Sequence, residues 1–369
     1  MKASVYLFRR AAKNAQLANN TWYPNKHNAL VEFDYGRQSL VVTVMSVYGQ
    51  VSTFVPVSTF DGDGPLSITV DARQLSKVAR QLTGNIVKVE QSKDGLILSD
   101  EKASYLILPS DYHVAQPEYS ETEIRDGFVI EDVKPFLREM QCSEQCSGSV
   151  LSLRCIYFRL SNRDQNIVVT GLDSFHIREM TLNAKVTGNR LLPIDKDNAK
   201  LIAGVFKGED VISVKASETM MILESQAVKL ICELMEVKMP NYSPYFEGKS
   251  VALYNVVTDA KRLYEASKRL SNFCAIMEID FSEANFLRMT TDPNHFAGFD
   301  RVPYAIGDPP PFSILVNARY FADVLNGLEG NVKIEIGIDQ LSPIIVRADG
   351  YRALLMPMRP KDENDEDEE

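Results

Sequence analysis

Leu75, Val78, Ala79 and Leu82 recur at i, i+3, i+4 and i+7, the spacing of one face of a helix. Phe321, Val324, Leu325 and Leu328 repeat that stripe 246 residues later. Half that offset, 123, lands on Asn198, Leu201, Ile202 and Val205, of which three are apolar. The lead-in repeats too. Thr69-Val70-Asp71-Ala72-Arg73 and Leu315-Val316-Asn317-Ala318-Arg319 each run from an apolar strand end to Asp or Asn as a helix N-cap. Turns follow each stripe at Thr83-Gly84-Asn85, Lys207-Gly208-Glu209 and Gly330-Asn331. Strand-like runs come next, over 86–89, 211–214 and 332–336. Pro117-Glu118-Tyr119-Ser120 returns 123 residues later as Pro240-Asn241-Tyr242-Ser243. Val5, Phe128 and Val251 share the same spacing, and each opens a strand-like run before a helix starting near Arg9, Glu131 or Asp259.

A period of this length marks a repeated domain. The pattern predicts an α+β chain of three similar domains, over 1–125, 126–248 and 249–360, each with two helices packed on antiparallel strands. Length agrees, since 369 residues exceed one ordinary domain.

Composition narrows the class. The chain is 45% hydrophobic and 24% charged, as globular proteins are, with no apolar run long enough to span a bilayer. The short run from Ala3 to Phe8 meets Arg9 and Arg10, the wrong order for a secretory leader. Five cysteines without framework spacing fit a reducing compartment, so a cytoplasmic location is expected.

The net charge of −10 is unevenly distributed. Residues 361–369 hold seven acids and one base, which reads as a disordered acidic tail. The six expected helix segments (9–18, 72–82, 131–141, 194–206, 259–271 and 318–329) are together +6, and the rest of the body is −10. Fourteen of the fifteen cations there are candidate phosphate contacts: Arg9, Arg10, Lys13, Arg73, Lys77, Arg80, Lys134, Arg138, Lys196, Lys200, Lys261, Arg262, Lys268 and Arg269. On one helix such residues form a solvated surface face. Across several helices they suit a shared anionic partner, and nucleic-acid phosphates fit because such contacts ignore base sequence.

Catalytic signatures are missing. There is no phosphate-binding Gly-x-x-x-x-Gly-Lys loop, dinucleotide Gly-x-Gly-x-x-Gly or Gly-x-Ser-x-Gly elbow. Cys142 and Cys146 stand four apart on an expected helix, but no second pair follows at zinc spacing. The histidines are His27, His113, His176 and His295. Asp61-Gly62-Asp63-Gly64 lacks the later ligands of a calcium loop. No metal, cofactor or enzymatic activity is expected.

Several runs resemble the bacterial DNA polymerase III beta subunits, the sliding clamps. Leu354-Leu355-Met356-Pro357-Met358-Arg359 is similar to that family's ending, and 317–325 to its last helix. Asp339-Gln340-Leu341-Ser342-Pro343-Ile344 resembles the strand turn before the end. Leu172-Asp173-Ser174-Phe175-His176-Ile177 stands where the family has Thr-Asp-Gly-His-Arg-Leu, and Lys238-Met239-Pro240-Asn241-Tyr242 resembles Arg-Phe-Pro-Asp-Tyr. The family's second Arg after that run is Pro244 here, and Pro360 and the tail follow its usual end, so the chain reads as a divergent member. The resemblance implies the DNA clamp fold, a ring-forming homodimer whose helices surround duplex DNA, with sheets outside. It implies a non-catalytic processivity factor in DNA replication, acting in the cytoplasm at the nucleoid. Its partners are double-stranded DNA, DNA polymerase, the clamp loader and repair proteins, the proteins docking through short linear peptides. The implied peptide pocket comprises Leu153, Leu172, Ser174, Phe175, His176, Ile177, Pro240, Asn317, Tyr320, Leu341, Pro343, Leu354, Leu355, Met356, Pro357, Met358 and Arg359. Taken singly, each apolar member reads better as a core residue. A clamp-fold protein-interaction scaffold that does not encircle DNA stays open as the alternative.

Overall fold

A computed structural model describes residues 1–19, 27–46, 49–59, 65–111, 126–247, 253–291 and 297–359. The acidic tail, the 117–120 linker, the Asp61–Gly64 run, His113, His295 and Val251 lie outside the described residues.

The described chain divides into two compact units. The first comprises 1–137, 160–166 and 183–235, and the second 138–159, 167–182 and 236–369. The division passes through the middle third of the chain.

In the first unit, helices α1 (Val5–Asn19), α2 (Ala72–Gln81) and α5 (Lys196–Val205) cover one large antiparallel sheet. A path through that sheet runs 185–187, 126–130, 212–216, 220–224, 228–233, 49–59, 2–4, 86–92, 95–99, 104–107. α1 packs against α2 and α5. Val5, Phe8, Ala11, Ala12, Ala15 and Ala18 are its buried stripe. That stripe corrects the expected strand-like run at Val5: the strand is Lys2–Ser4, and the helix begins at Val5 rather than near Arg9. Val5 and Phe8 stand three apart on one helical face, so the short apolar run that reads as a strand is the first turn of α1. Asp71 and Asp195 are N-caps, accepting from the Gln74 and Asp197 amides.

α3 (Val133–Gln145) belongs to both units, with its second half in the second. The short α4 (Leu151–Arg154) follows. The second unit adds α6 (Ala260–Ser271) and α7 (Ala318–Leu325), packed on each other. Its strands run 155–161, 166–172, 176–183, 351–355, 344–348, 331–336, 254–259, 299–308, 286–291, 276–280, 314–317. Leu263, Ala266, Leu270, Phe321, Val324 and Leu325 share one core with Val256, Ile334, Ile344 and Leu355. Asp259 and Asn317 cap α6 and α7. α7 ends at Leu325, short of the expected 329, because Gly327 takes φ +79° and turns the chain. Gly171 lets α3 approach the sheet: a Cβ there would sit 2.5 Å from the Ser143 carbonyl oxygen.

A buried ion pair ties these pieces together. Arg178 is fully buried and donates through Nε and Nη2 to Glu139 of α3, both at 2.9 Å. Its Nη1 reaches the Asp323 and Val324 carbonyls at the end of α7, and the guanidinium lies over the Tyr351 ring.

Candidate functional site

The residues around 173–177 make a built turn. Asp173 Oδ1 accepts from the Phe175 and His176 amides at 2.7 Å each and meets His176 Nδ1 at 2.8 Å. Burial pushes the Asp173 carboxyl up, but the His176 ring and the two amides outweigh it and hold the group below its ordinary value. A depressed folded pKa contributes stability above the ordinary carboxylate range, and that stability is lost as pH falls through the folded value. Thermal midpoints of wild type and Asp173→Asn are therefore expected to differ most near neutrality and to converge below about pH 4. Parallel curves down to that pH contradict this role.

The turn presents aromatic rings. His176 is buried and stacks on Tyr320 at 4.5 Å between centroids, while Phe175 is 54% exposed and stacks on the same ring at 5.9 Å. Asn317 fixes Tyr320 by accepting its amide at 3.1 Å. The C-terminal segment closes the group. The Met356 amide donates to the Phe175 carbonyl and the Met358 amide to the Leu315 carbonyl, both at 2.8 Å. Leu355 pairs with His176 and Leu354 with Ile177 across neighbouring strands.

Of the expected pocket residues, the structure thus brings Phe175, His176, Ile177, Asn317, Tyr320, Leu354, Leu355, Met356 and Met358 together. Leu172, His176, Ile177, Leu354 and Leu355 are buried. Ser174, Phe175, Leu341, Met356 and Arg359 are exposed, and Leu153, Pro240, Asn317, Tyr320, Pro343, Pro357 and Met358 are half-buried. Leu153 stands beside Gly148, next to Asp173. Pro343 precedes Ile344, which pairs with Leu355. No described contact joins Pro240, Ser174, Leu341, Pro357 or Arg359 to the group. Near Pro240, Tyr242 takes a hydrogen bond from Arg159, and Phe246 lies under the Arg352 guanidinium. Glu179 pairs with both of those arginines.

Sequence reasoning missed Asp173 as the organiser of the turn. The signal was its place two and three residues before Phe175 and His176, the Asx-turn spacing. It also missed Leu315, whose role is a backbone carbonyl and so leaves no trace in residue type. A cleft of about 660 Å³ adjoins the group and is lined by Asn317, Tyr320, Asp173, Asp323, Arg319, Gln145 and Phe273, among others.

The basic helix positions fall into two sets. Lys13, Arg73, Lys77, Lys134, Lys200, Lys261 and Arg262 are exposed, and Lys196 is half-buried. None of these eight has an ion-pair partner among the described residues. The others are engaged. Arg9 donates to the Ala79, Arg80 and Leu82 carbonyls at the end of α2. Arg10 pairs with Glu209 and reaches the Val205 carbonyl at the end of α5. Arg138 meets the Gly327 carbonyl and Glu329 beyond α7. Arg269 forks onto Asp300 at 2.9 and 2.6 Å, Arg80 meets Gln16, and Lys268 meets the Tyr264 hydroxyl. Cations at helix C-termini satisfy open carbonyls and the helix dipole.

Cys142 and Cys146 are buried, and burial pushes the Cys142 thiol up to about 11 and raises the Cys146 thiol well above the ordinary thiol range. Neither is poised as a thiolate ligand. Among the described residues no His, Cys, Asp and Glu group has metal-binding geometry, and no helix is long and apolar enough to cross a membrane.

Solved structures of bacterial proteins share this arrangement. A DNA polymerase sliding clamp from Bacillus subtilis superposes with a TM-score of 0.81 at 14% identity, covering 98% of this chain and 99% of that one. A ligand-bound sliding clamp from Pseudomonas aeruginosa gives 0.80 at 16% identity, covering 98% and 99%. The chain has the bacterial sliding-clamp fold. A Helicobacter pylori beta clamp bound to a DNA ligase peptide shares that fold, with a TM-score of 0.78 at 14% identity over 97% of this chain and 100% of that one. No protein-family model matches the sequence, and no curated protein does. A clamp fold reached at such low identity puts the burden of function on this chain's own residues.

Proposed function

We propose that the chain is a DNA sliding clamp: a non-catalytic processivity factor that encircles duplex DNA as a homodimeric ring and tethers the polymerase and other proteins by short peptides. The clamp fold over 98% of the chain carries the reading. The repeat supports three clamp domains over 1–125, 126–248 and 249–360, since matching N-caps recur at Asp71, Asp195 and Asn317. Exposed cations on α1, α2, α3, α5 and α6 with no ion-pair partner among the described residues supply the sequence-independent phosphate contacts a sliding ring needs. Closure of the ring covers sheet edges that would otherwise invite aggregation.

The peptide pocket of this reading centres on Phe175, Tyr320, Met356 and Met358. Accessible aromatic and methionine side chains, here exposed at Phe175 and Met356 and half-buried at Tyr320 and Met358, adapt to varied aliphatic and aromatic anchors. A fluorescent peptide of the Gln-Leu-x-Leu-Phe type is expected to bind saturably with a dissociation constant of about micromolar order. Phe175→Ala or Met358→Ala is expected to weaken it about tenfold. Absence of saturable binding to the wild type contradicts the pocket.

One observation favours the second reading, a clamp-fold scaffold that does not encircle DNA. Arg9, Arg10, Arg138 and Arg269 are held by protein acceptors, which thins the charge offered to phosphates.

A further inference from the structure

We propose that the cleft beside α7 takes a Lys or Arg side chain of the docked peptide, with Asp323 as its counter-ion. The inference rests on the peptide-pocket reading above. The cleft and the pocket share Asn317 and Tyr320, and Asp323 follows Tyr320 by three residues on the same helix face. A peptide seated against Tyr320 therefore has its next side chain within reach of Asp323.

Asp323 is a carboxylate without a full partner. Its side chain is 15% exposed, yet its ion pair among the described residues is with Arg319 at 3.9 Å, from a side chain 81% exposed. Such loose surface pairs contribute little. Burial pushes the Asp323 carboxyl up, and the neighbouring His176, Arg319 and Arg178 side chains do not bring it back down. The neighbouring Asp173 differs, being matched by His176 and two amides. A withdrawn carboxylate of this kind is relieved by an incoming cation. The walls suit one as well. Tyr320 and Phe273 line the cleft, and Phe273 is 57% exposed. Aromatic faces attract ammonium and guanidinium heads and pack against their aliphatic stems.

The test is a double-mutant cycle in the full-length protein. The probes are fluorescent Gln-Leu-x-Leu-Phe peptides carrying Lys on one side of the motif or on the other, each with a Gln counterpart. They are titrated against wild type and Asp323→Asn. One Lys position is expected to bind wild type at least about fivefold tighter than its Gln counterpart. That advantage should vanish in Asp323→Asn, while the Gln peptide binds both proteins alike. A Lys advantage that is absent, or that persists in Asp323→Asn, overturns the proposal and leaves the pocket standing. If no peptide binds wild type, the pocket reading fails and this inference with it. A second readout uses Cys274, which lines the cleft and is partly exposed, whereas the other four cysteines are buried. Saturating Lys peptide is expected to slow iodoacetamide alkylation of Cys274 severalfold more than saturating Gln peptide. Equal protection by the two overturns the proposal.

Discussion

Arg178→Met is expected to destabilise the second unit by about 3–5 kcal/mol, the cost of breaking a buried ion pair from one side. Arg178 and Glu139 are each at most 2% exposed in their side chains. Burial opposes the charge on Arg178, but the Glu139 carboxylate more than offsets it, and the guanidinium stays ionised. Removing the cation leaves Glu139 with the Ser143 hydroxyl as its remaining described partner, at 2.8 Å. It also strips a donor from the Asp323 and Val324 carbonyls, although the Tyr351 hydroxyl still reaches Val324. At about 2–4 °C per kcal/mol for a unit of this size, the thermal midpoint should fall by roughly 6–20 °C. Replacing both partners, as Arg178→Met with Glu139→Leu, should recover much of that loss, because two apolar side chains leave no buried charge. A midpoint within about 2 °C of wild type for Arg178→Met contradicts the network.

Reversing the unpaired cations Arg73, Lys77, Lys261 and Arg262 to Glu is expected to reduce loader-dependent, processive primer extension to the level seen without the protein. Each lies exposed on α2 or α6, so reversal removes no described ion pair. Far-ultraviolet circular dichroism should be unchanged. In a closed ring every reversed residue occurs twice, and each lost phosphate contact lowers the salt slope of binding by about 0.9. Arg269→Gln, by contrast, should change extension less, because the Asp300 carboxylate already offsets that guanidinium's charge. Wild-type extension by the fourfold variant favours the scaffold reading.

These two effects show where the sequence could and could not be read. The stripes on α2, α5 and α7 and the caps Asp71 and Asn317 were legible because they are local: period and cap stand within one turn of each other. The expected helix over 131–141 likewise appears as α3, shifted to Val133–Gln145, since ends fray more readily than centres. The fates of the arginines were not legible. Arg9 and Arg10 look like surface cations beside Lys13, but their acceptors lie some 70 and 200 positions away, at the ends of α2 and α5. Arg178 reads as one charged residue in a strand. Only the fold brings Glu139, Tyr351 and the end of α7 around it. At the pocket, the family resemblance pointed to Phe175, Tyr320 and Met358, whereas the carbonyls of Phe175 and Leu315 that position the C-terminal segment carry no side-chain signal.

The most direct test of the central claim is topological. The protein is assembled by its cognate clamp loader on a nicked circular plasmid, washed at a salt concentration that dissolves phosphate contacts, and the plasmid is then cut once. A clamp is held by closure rather than by contact strength. It should survive the wash on the circle and leave within minutes of linearisation, while a block at both new ends should retain it. Loss from the intact circle in the wash, or equal retention on circular and unblocked linear DNA, contradicts encirclement.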